Sequence, residues 1–166
     1  NVFSYVCMYS DVNTDCLQIL IDRAKELGIF NRLTNNLLHN YDILNNKIAD
    51  KIFTILLENG CNPNSRDIFG YTPFMTMCGI KNFNNKIAKL LVKYGADIFI
   101  RDKEHGINAF DYSLNNERIK PIKFLIKKGF DINEKDSNGR NVLMRTLMQK
   151  SHPSEEFISN LINLGA

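Results

Sequence analysis

Four glycines constrain this chain more than anything else in it. Gly60, Gly95, Gly129 and Gly165 lie 35, 34 and 36 residues apart, and Asp67, Asp102 and Asp136 each follow one of the first three by seven residues. Two unlike residue types recurring in phase mark a repeat architecture, in which a unit buries its apolar face only against its neighbours. The 166 residues therefore point to just under five stacked units instead of one central core.

Three segments carry the repeat without gaps of logic. LLENGCNPNSRDIFGYTPFM ends at Met75, LVKYGADIFIRDKEHGINAFD at Asp111 and LIKKGFDINEKDSNGRNVLM at Met144. Toward the N-terminus, CLQILIDRA (Cys16 to Ala24) has the apolar pattern of IAKLLVKYG (Ile87 to Gly95), which puts Ala24 at the glycine position. Asn31 then takes the Asp position and Thr34 the turn-glycine position, while NLLH (36–39) and NVFS (1–4) match TPFM. The expected units are approximately 1–30, 31–66, 67–101, 102–135 and 136–166.

Within a unit, a short apolar segment such as TPFMTMCGI precedes an amphipathic one whose Ile87, Leu90, Leu91 and Tyr94 recur at helical spacing. Glycine at the end suits a left-handed helix cap, and Asp-x-x-Gly suits a tight turn. The fold class is all-α, a solenoid of helix-turn-helix units with short hairpin connections. Pro121 falls in the first turn of the fourth unit's second helix, where a missing N–H costs little.

At these positions the chain resembles the ankyrin repeat family. The resemblance rests on Asp67, Gly70, Thr72, Pro73 and Phe74 at the start of one unit and on Leu90, Leu91, Gly95, Ala96 and Asp97 at its close. The family's first-helix histidine is kept only as His39, and becomes Ser4, Met75, Asp111 and Met144 elsewhere. Connections between helices are lengthened around 41–47, 80–85 and 150–154. Abundant Asn, Ile and Lys suggest an AT-rich genome, and arrays of this flavour resemble those of poxviruses and AT-rich host-associated bacteria. Asparagine pairs at 35–36, 45–46, 84–85 and 115–116 fall at turns or helix starts, where their side chains bond to backbone. Asn1 in place of methionine leads to the expectation of a processed product or a fragment of a larger array.

Chemistry finds little purchase in the sequence. His39, His105 and His152 are 66 and 47 residues apart and fall in different parts of their units, so neither a metal cluster nor shared acid–base machinery is expected. Asp67, Asp102 and Asp136 sit one repeat apart, each in its own turn, unlike ligands around one calcium ion. DIFGY (67–71) lacks the lysine and further glycine of a phosphate loop. Asp11 and Asp15, one helical turn apart, suit the start of the first unit's second helix. Cys7, Cys16, Cys61 and Cys78 lack metal-site spacing and read as small buried hydrophobes. The reading is a non-enzyme with no cofactor and no small-molecule substrate.

No segment is apolar for long enough to insert in a membrane, and a net charge of +3 gives no strong footprint for nucleic acid. Arg66, Arg101 and Lys135, each just before a repeat Asp, would form only a mild basic stripe, without the aromatic interleaving of a single-strand platform. Another protein, with acidic features, is the expected partner. The compartment stays open, with the cytoplasm of the source or host cell favoured.

By resemblance, hairpin tips and first helices make a concave binding surface. That logic selects Arg66, Ile68, Phe69 and Tyr71 in the third unit, and Arg101, Lys103, His105, Ile107 and Tyr112 in the fourth. In the fifth it selects Lys135, Asn138, Arg140 and Arg145. Ile68, Phe69 and Tyr71 are the sharpest candidates, because turn tips contribute little to a core and exposed aromatics are common anchors. The leading function is a noncatalytic protein-binding module in host–pathogen interaction. The alternatives are a spacer or substrate-recognition segment of a larger protein and, more weakly, nucleic-acid binding.

Overall fold

The computed structural model describes residues 2–8, 14–34, 36–149 and 153–166. Their regular structure is helical throughout: α1 (Val2–Met8), α2 (Thr14–Glu26), α3 (Phe30–Thr34), a 3-10 turn (Leu37–His39), α4 (Tyr41–Leu44) and α5 (Ala49–Glu58). There follow α6 (Pro73–Gly79), α7 (Asn85–Lys93), α8 (Ala109–Asn115), α9 (Ile119–Ile126), α10 (Val142–Gln149) and α11 (Glu155–Asn163). First helices stack on first helices, α1 on α4, the 3-10 turn on α6, α6 on α8 and α8 on α10. Second helices do likewise, α5 on α7 and α9 on α11. The core is thus one apolar seam running along the stack, from Phe3 and Ile21 through Phe53, Phe74 and Leu91 to Leu125 and Leu161.

The glycine ladder has a single physical cause. Four residues before each glycine a leucine is buried, namely Leu56, Leu91, Leu125 and Leu161. Its carbonyl accepts from the N–H just after the glycine, of Cys61, Ala96, Phe130 and Ala166, at 3.0, 2.8, 3.2 and 3.2 Å. The intervening glycines have φ of 94, 91, 100 and 96°, a region that a Cβ disfavours.

The first two units depart from the expected register. Ala24 does not cap α2: it is buried within the helix, and the cap is Gly28, at φ 66°, with Ile29 N donating to Ala24 O at 3.0 Å. A helix-favouring alanine continues the helix, and the first available glycine ends it. The hairpin expected with Asn31 and Thr34 in the Asp and Gly places is instead α3, closed by Thr34 Oγ1 donating to Phe30 O at 2.9 Å. No glycine stands there to take the turn's positive φ. The first helix of this unit is also broken, because Asn40 Oδ1 accepts from Asp42 N and Ile43 N at 2.8 and 3.3 Å and starts α4 anew.

Pro121 lies in the first turn of α9, beginning at Ile119, as its register requires. Cys7, Cys61 and Cys78 are buried, and burial pushes the Cys7 and Cys78 thiols up to about 12, leaving them protonated at neutral pH. Cys16 corrects the expectation for its class. It is exposed, because α2 turns Leu17, Ile21 and Ala24 inward and Cys16, Ile19 and Arg23 outward.

Candidate functional site

Each hairpin is tied by its own aspartate. Asp67 Oδ1 accepts from Phe69 N and Tyr71 N, both at 2.9 Å. Asp102 Oδ1 accepts from His105 N at 2.6 Å and Gly106 N at 3.0 Å, so the extra residue of the fourth tip is absorbed without losing the turn. Asp136 Oδ1 takes Asn138 N and Arg140 N at 2.9 and 3.0 Å, and its Oδ2 takes Arg140 Nε at 2.7 Å. The Arg140 backbone bond leads the effects that hold the Asp136 carboxyl below its ordinary range. With their carboxylates used in this way, the aspartates serve as turn residues. Among the described residues no group of three His, Cys, Asp or Glu could hold a metal ion.

Neighbouring hairpins are also bound to one another. Arg66 Nη1 donates to Gly70 O at 3.0 Å within its own hairpin and to Arg101 O at 3.1 Å in the next. Asn64 spans the same gap, its Nδ2 donating to Gly95 O and its Oδ1 accepting from Asp97 N, both at 2.8 Å. Asn133 Nδ2 repeats the clamp on Gly165 O at 2.9 Å. Phe99, four residues after Gly95, stands where Asn64 and Asn133 stand after theirs. It stacks on Phe130 instead, with ring centres 4.5 Å apart and planes 9° apart. Tips held on both sides present their side chains in a fixed order, which lowers the cost of binding.

What the third tip presents is apolar. Ile68 is 88% exposed and Phe69 58%. Behind them Tyr71 packs on Tyr112 of α8 at 4.8 Å between ring centres, and Phe69 lies 6.2 Å from Tyr71. Tyr112 rests on Gly79 of α6, where a Cβ would fall 2.4 Å from its ring. Exposed Tyr41 of α4 lies beside Tyr112. Burial, then Tyr41, pushes the Tyr112 hydroxyl up to about 12, and burial followed by Asp102, Asp67 and Glu104 raises that of Tyr71. The phenols are thus neutral donors over the physiological range.

The fourth and fifth hairpins present charge. A groove of about 730 Å³ between them is lined by Arg101, His105, Ile107, Lys135, Asn138, Arg140 and Arg145, together with Asp111, Phe110 and Phe130. Asp111, on α8, accepts from Arg101 Nη1 at 3.3 Å through Oδ2 and pairs with Arg145 Nη2 through Oδ1. Its Oδ2 also accepts from Asn108 N at 3.0 Å, while Asn108 Oδ1 accepts from Phe110 N and Asp111 N. Met75, at the same repeat position, reaches back to Thr72 N with its sulfur at 3.4 Å. Two of the residues that replace the family's histidine, Met75 and Asp111, thus keep a reciprocal helix cap.

The thirteen positions singled out from sequence therefore divide. Ile68, Phe69, Tyr71 and Tyr112 form one patch, and Arg101, His105, Ile107, Lys135, Asn138, Arg140 and Arg145 meet in the groove. Arg66 is the clamp between hairpins, and Lys103 is exposed on the fourth tip. Of the candidate cations, Arg66, Arg101, Arg140 and Arg145 all donate to protein acceptors. Tyr41 and Asp111 belong to the same surface and escaped the sequence reading. Tyr41 sits in a lengthened connection, and Asp111 finds its arginines only across the stack.

His39 is buried and lies 3.4 Å from Thr76 Oγ1 through Nδ1 and 3.1 Å from Ser65 Oγ through Nε2. It ties the second unit to the third, and burial lowers its pKa. His105 is exposed at the fourth tip. His152 and Asp11 lie outside the described residues, and so does the 150–152 part of the last lengthened connection. No helix among the described residues is long and apolar enough to cross a membrane.

Known proteins carry similar sequences. The chain is 33% identical over 140 residues to the putative ankyrin repeat protein L86 of Acanthamoeba polyphaga mimivirus, covering 80% of this chain and 21% of that protein. It is 32% identical over 94 residues to the mouse ankyrin repeat and SOCS box protein 6, covering 56% of this chain and 22% of that protein. The chain thus spans about a fifth of the length of these curated relatives. The pattern of the family described as ankyrin repeats (3 copies) matches residues 44–136, more than half of the chain. With stacked helix pairs, glycine caps and aspartate-tied hairpins all in phase, the chain belongs to the ankyrin repeat family.

Proposed function

We propose that this chain is a noncatalytic recognition module, anchored on its partner by the third hairpin. Ankyrin repeats generally serve protein–protein interaction, and the exposure of Ile68 and Phe69 beside the Tyr71–Tyr112 pair carries the assignment to this face. Large apolar side chains on a rigid tip contribute little to the fold yet bury well against a second surface. The relative that pairs ankyrin repeats with a SOCS box favours a second reading, in which the array is the recognition segment of a longer protein whose activity lies elsewhere.

Both readings need the same surface. Partners captured on the immobilised wild-type array are expected to bind a Phe69→Ala/Tyr71→Ala variant at least about tenfold more weakly, or about 1.4 kcal/mol, with its helical circular dichroism retained. Undiminished affinity in that variant removes the third hairpin as the anchor.

A further inference from the structure

We infer that the groove between the fourth and fifth hairpins seats an acidic side chain, Asp or Glu, from an extended segment of the bound protein. This inference rests on the recognition reading. The lining as a whole balances, four cations against four carboxylates, but around Asp111 the positive charge is in local excess. Two guanidinium groups, Arg101 and Arg145, share that single carboxylate, whereas Arg140 is matched by Asp136. The Arg145 side chain is only 12% exposed, so little water compensates its charge. Burial, and after it the nearby Arg101 charge, disfavours protonated Arg145. A second carboxylate offsets the Arg101 repulsion and supplies the opposite charge that water does not.

Donors for it are in place. A guanidinium has five N–H groups. Arg145 uses Nη2 on Asp111, and Arg101 uses Nη1 on Gly106 O at 2.8 Å and on Asp111. Among the described residues their other side-chain N–H groups have no protein acceptor. Ile107, Phe110 and Phe130 supply apolar wall for the methylenes of the incoming residue. Asp131, Glu134 and Asp136 line the same groove and oppose a dianion or polyanion, so a single carboxylate fits where phosphate or nucleic acid does not. Arg66 of the third hairpin donates to the carbonyl of Arg101, which lines the groove, so the groove lies beside the hairpin that carries Ile68 and Phe69. A segment crossing both carries its carboxylate on a side chain, not at a chain end.

The test uses the whole ¹⁵N-labelled array, with arginine Nε–Hε resonances followed during titration with N-acetyl-glutamate amide, whose side chain is its only carboxylate. Saturable shifts of Arg101 and Arg145 are expected, with the matching glutamine amide leaving both unmoved. Arg101→Gln, at a half-exposed site that spares the fold, is expected to weaken binding at least about fivefold, and Asp111→Asn, which removes the internal competitor, to strengthen it about threefold. Equal response to the glutamine amide, tighter binding of inorganic phosphate or of the chain-end mimic N-acetylglycine, or no shift at high-millimolar probe each overturns the inference. A captured partner that needs Phe69 but is indifferent to Arg101→Gln and Arg145→Gln overturns it too, and leaves the recognition reading standing. Glutamate binding together with a partner indifferent to Phe69→Ala/Tyr71→Ala would sink the third-hairpin anchor alone.

Discussion

The third hairpin and the groove between the fourth and fifth hairpins use the same repeat positions for different ends. Before the repeat aspartate stand Arg66, Arg101 and Lys135. Arg66 locks two hairpins through their carbonyls, Arg101 reaches an aspartate on its own first helix, and Lys135 is exposed. At the family's histidine position, Met75 is buried in the seam while Asp111 gathers two arginines. The repeat fixes where a side chain is displayed, and the identity of its neighbours one unit away decides whether it is structural or available.

The largest effect that separates the two regions is expected at Asp111. Replacing it with alanine leaves the mostly buried Arg145 guanidinium without its carboxylate and Asn108 N without its cap, for a loss of about 3 kcal/mol. A thermal melt should fall by roughly 10 °C. An unchanged melting point would mean that the groove's ion network does not hold α8 to α10. On the patch side, Gly79→Ala forces the Tyr112 ring off α6 and is expected to cost about 2 kcal/mol. Loss of nuclear Overhauser contacts between Tyr71 and Tyr112 would locate that cost in the ring pair.

The two regions should also separate with pH. Burial lowers the pKa of His39, so below its ordinary 6.5 the unfolded chain binds more protons than the folded one. Stability supplied through the Ser65 and Thr76 contacts is therefore full near neutrality and declines as the pH falls through 6.5 toward the folded value. Denaturant melts at pH 7.5 and 5.5 are expected to differ more for the wild type than for His39→Gln; equal differences would remove His39 as the cause. The smallest contrast lies among the tip cations. Arg66→Ala is expected to cost about 1 kcal/mol through its two carbonyl bonds, and Lys135→Ala less than about 0.5 kcal/mol. Chemical denaturation of the pair settles which cation is a clamp.

Much of this was legible in the sequence where a local rule acts alone. A left-handed cap requires glycine and an aspartate-tied turn requires Asp, so the third to fifth units could be placed by Gly60, Gly95, Gly129 and their aspartates. The first two units were harder because apolar periodicity tolerates a shift of one helical turn. Ala24 and Gly28 are four residues apart, and only the positive φ distinguishes them. The exposed patch could be foreseen because Ile68 and Phe69 occupy a turn. The Asp111–Arg145 pair could not, since the two residues are 34 positions apart in different units and nothing local links them. The Asn64 clamp was hidden likewise, its acceptor lying in the next unit.

The central claim, that a partner is held on the hairpin tips and first helices, is met most directly by amide hydrogen exchange on the array with a captured partner bound. Added protection is expected over residues 66–72 and 105–112, with α5, α7 and α9 unchanged. Protection concentrated on those second helices, with the tips exchanging as in the free chain, would contradict it.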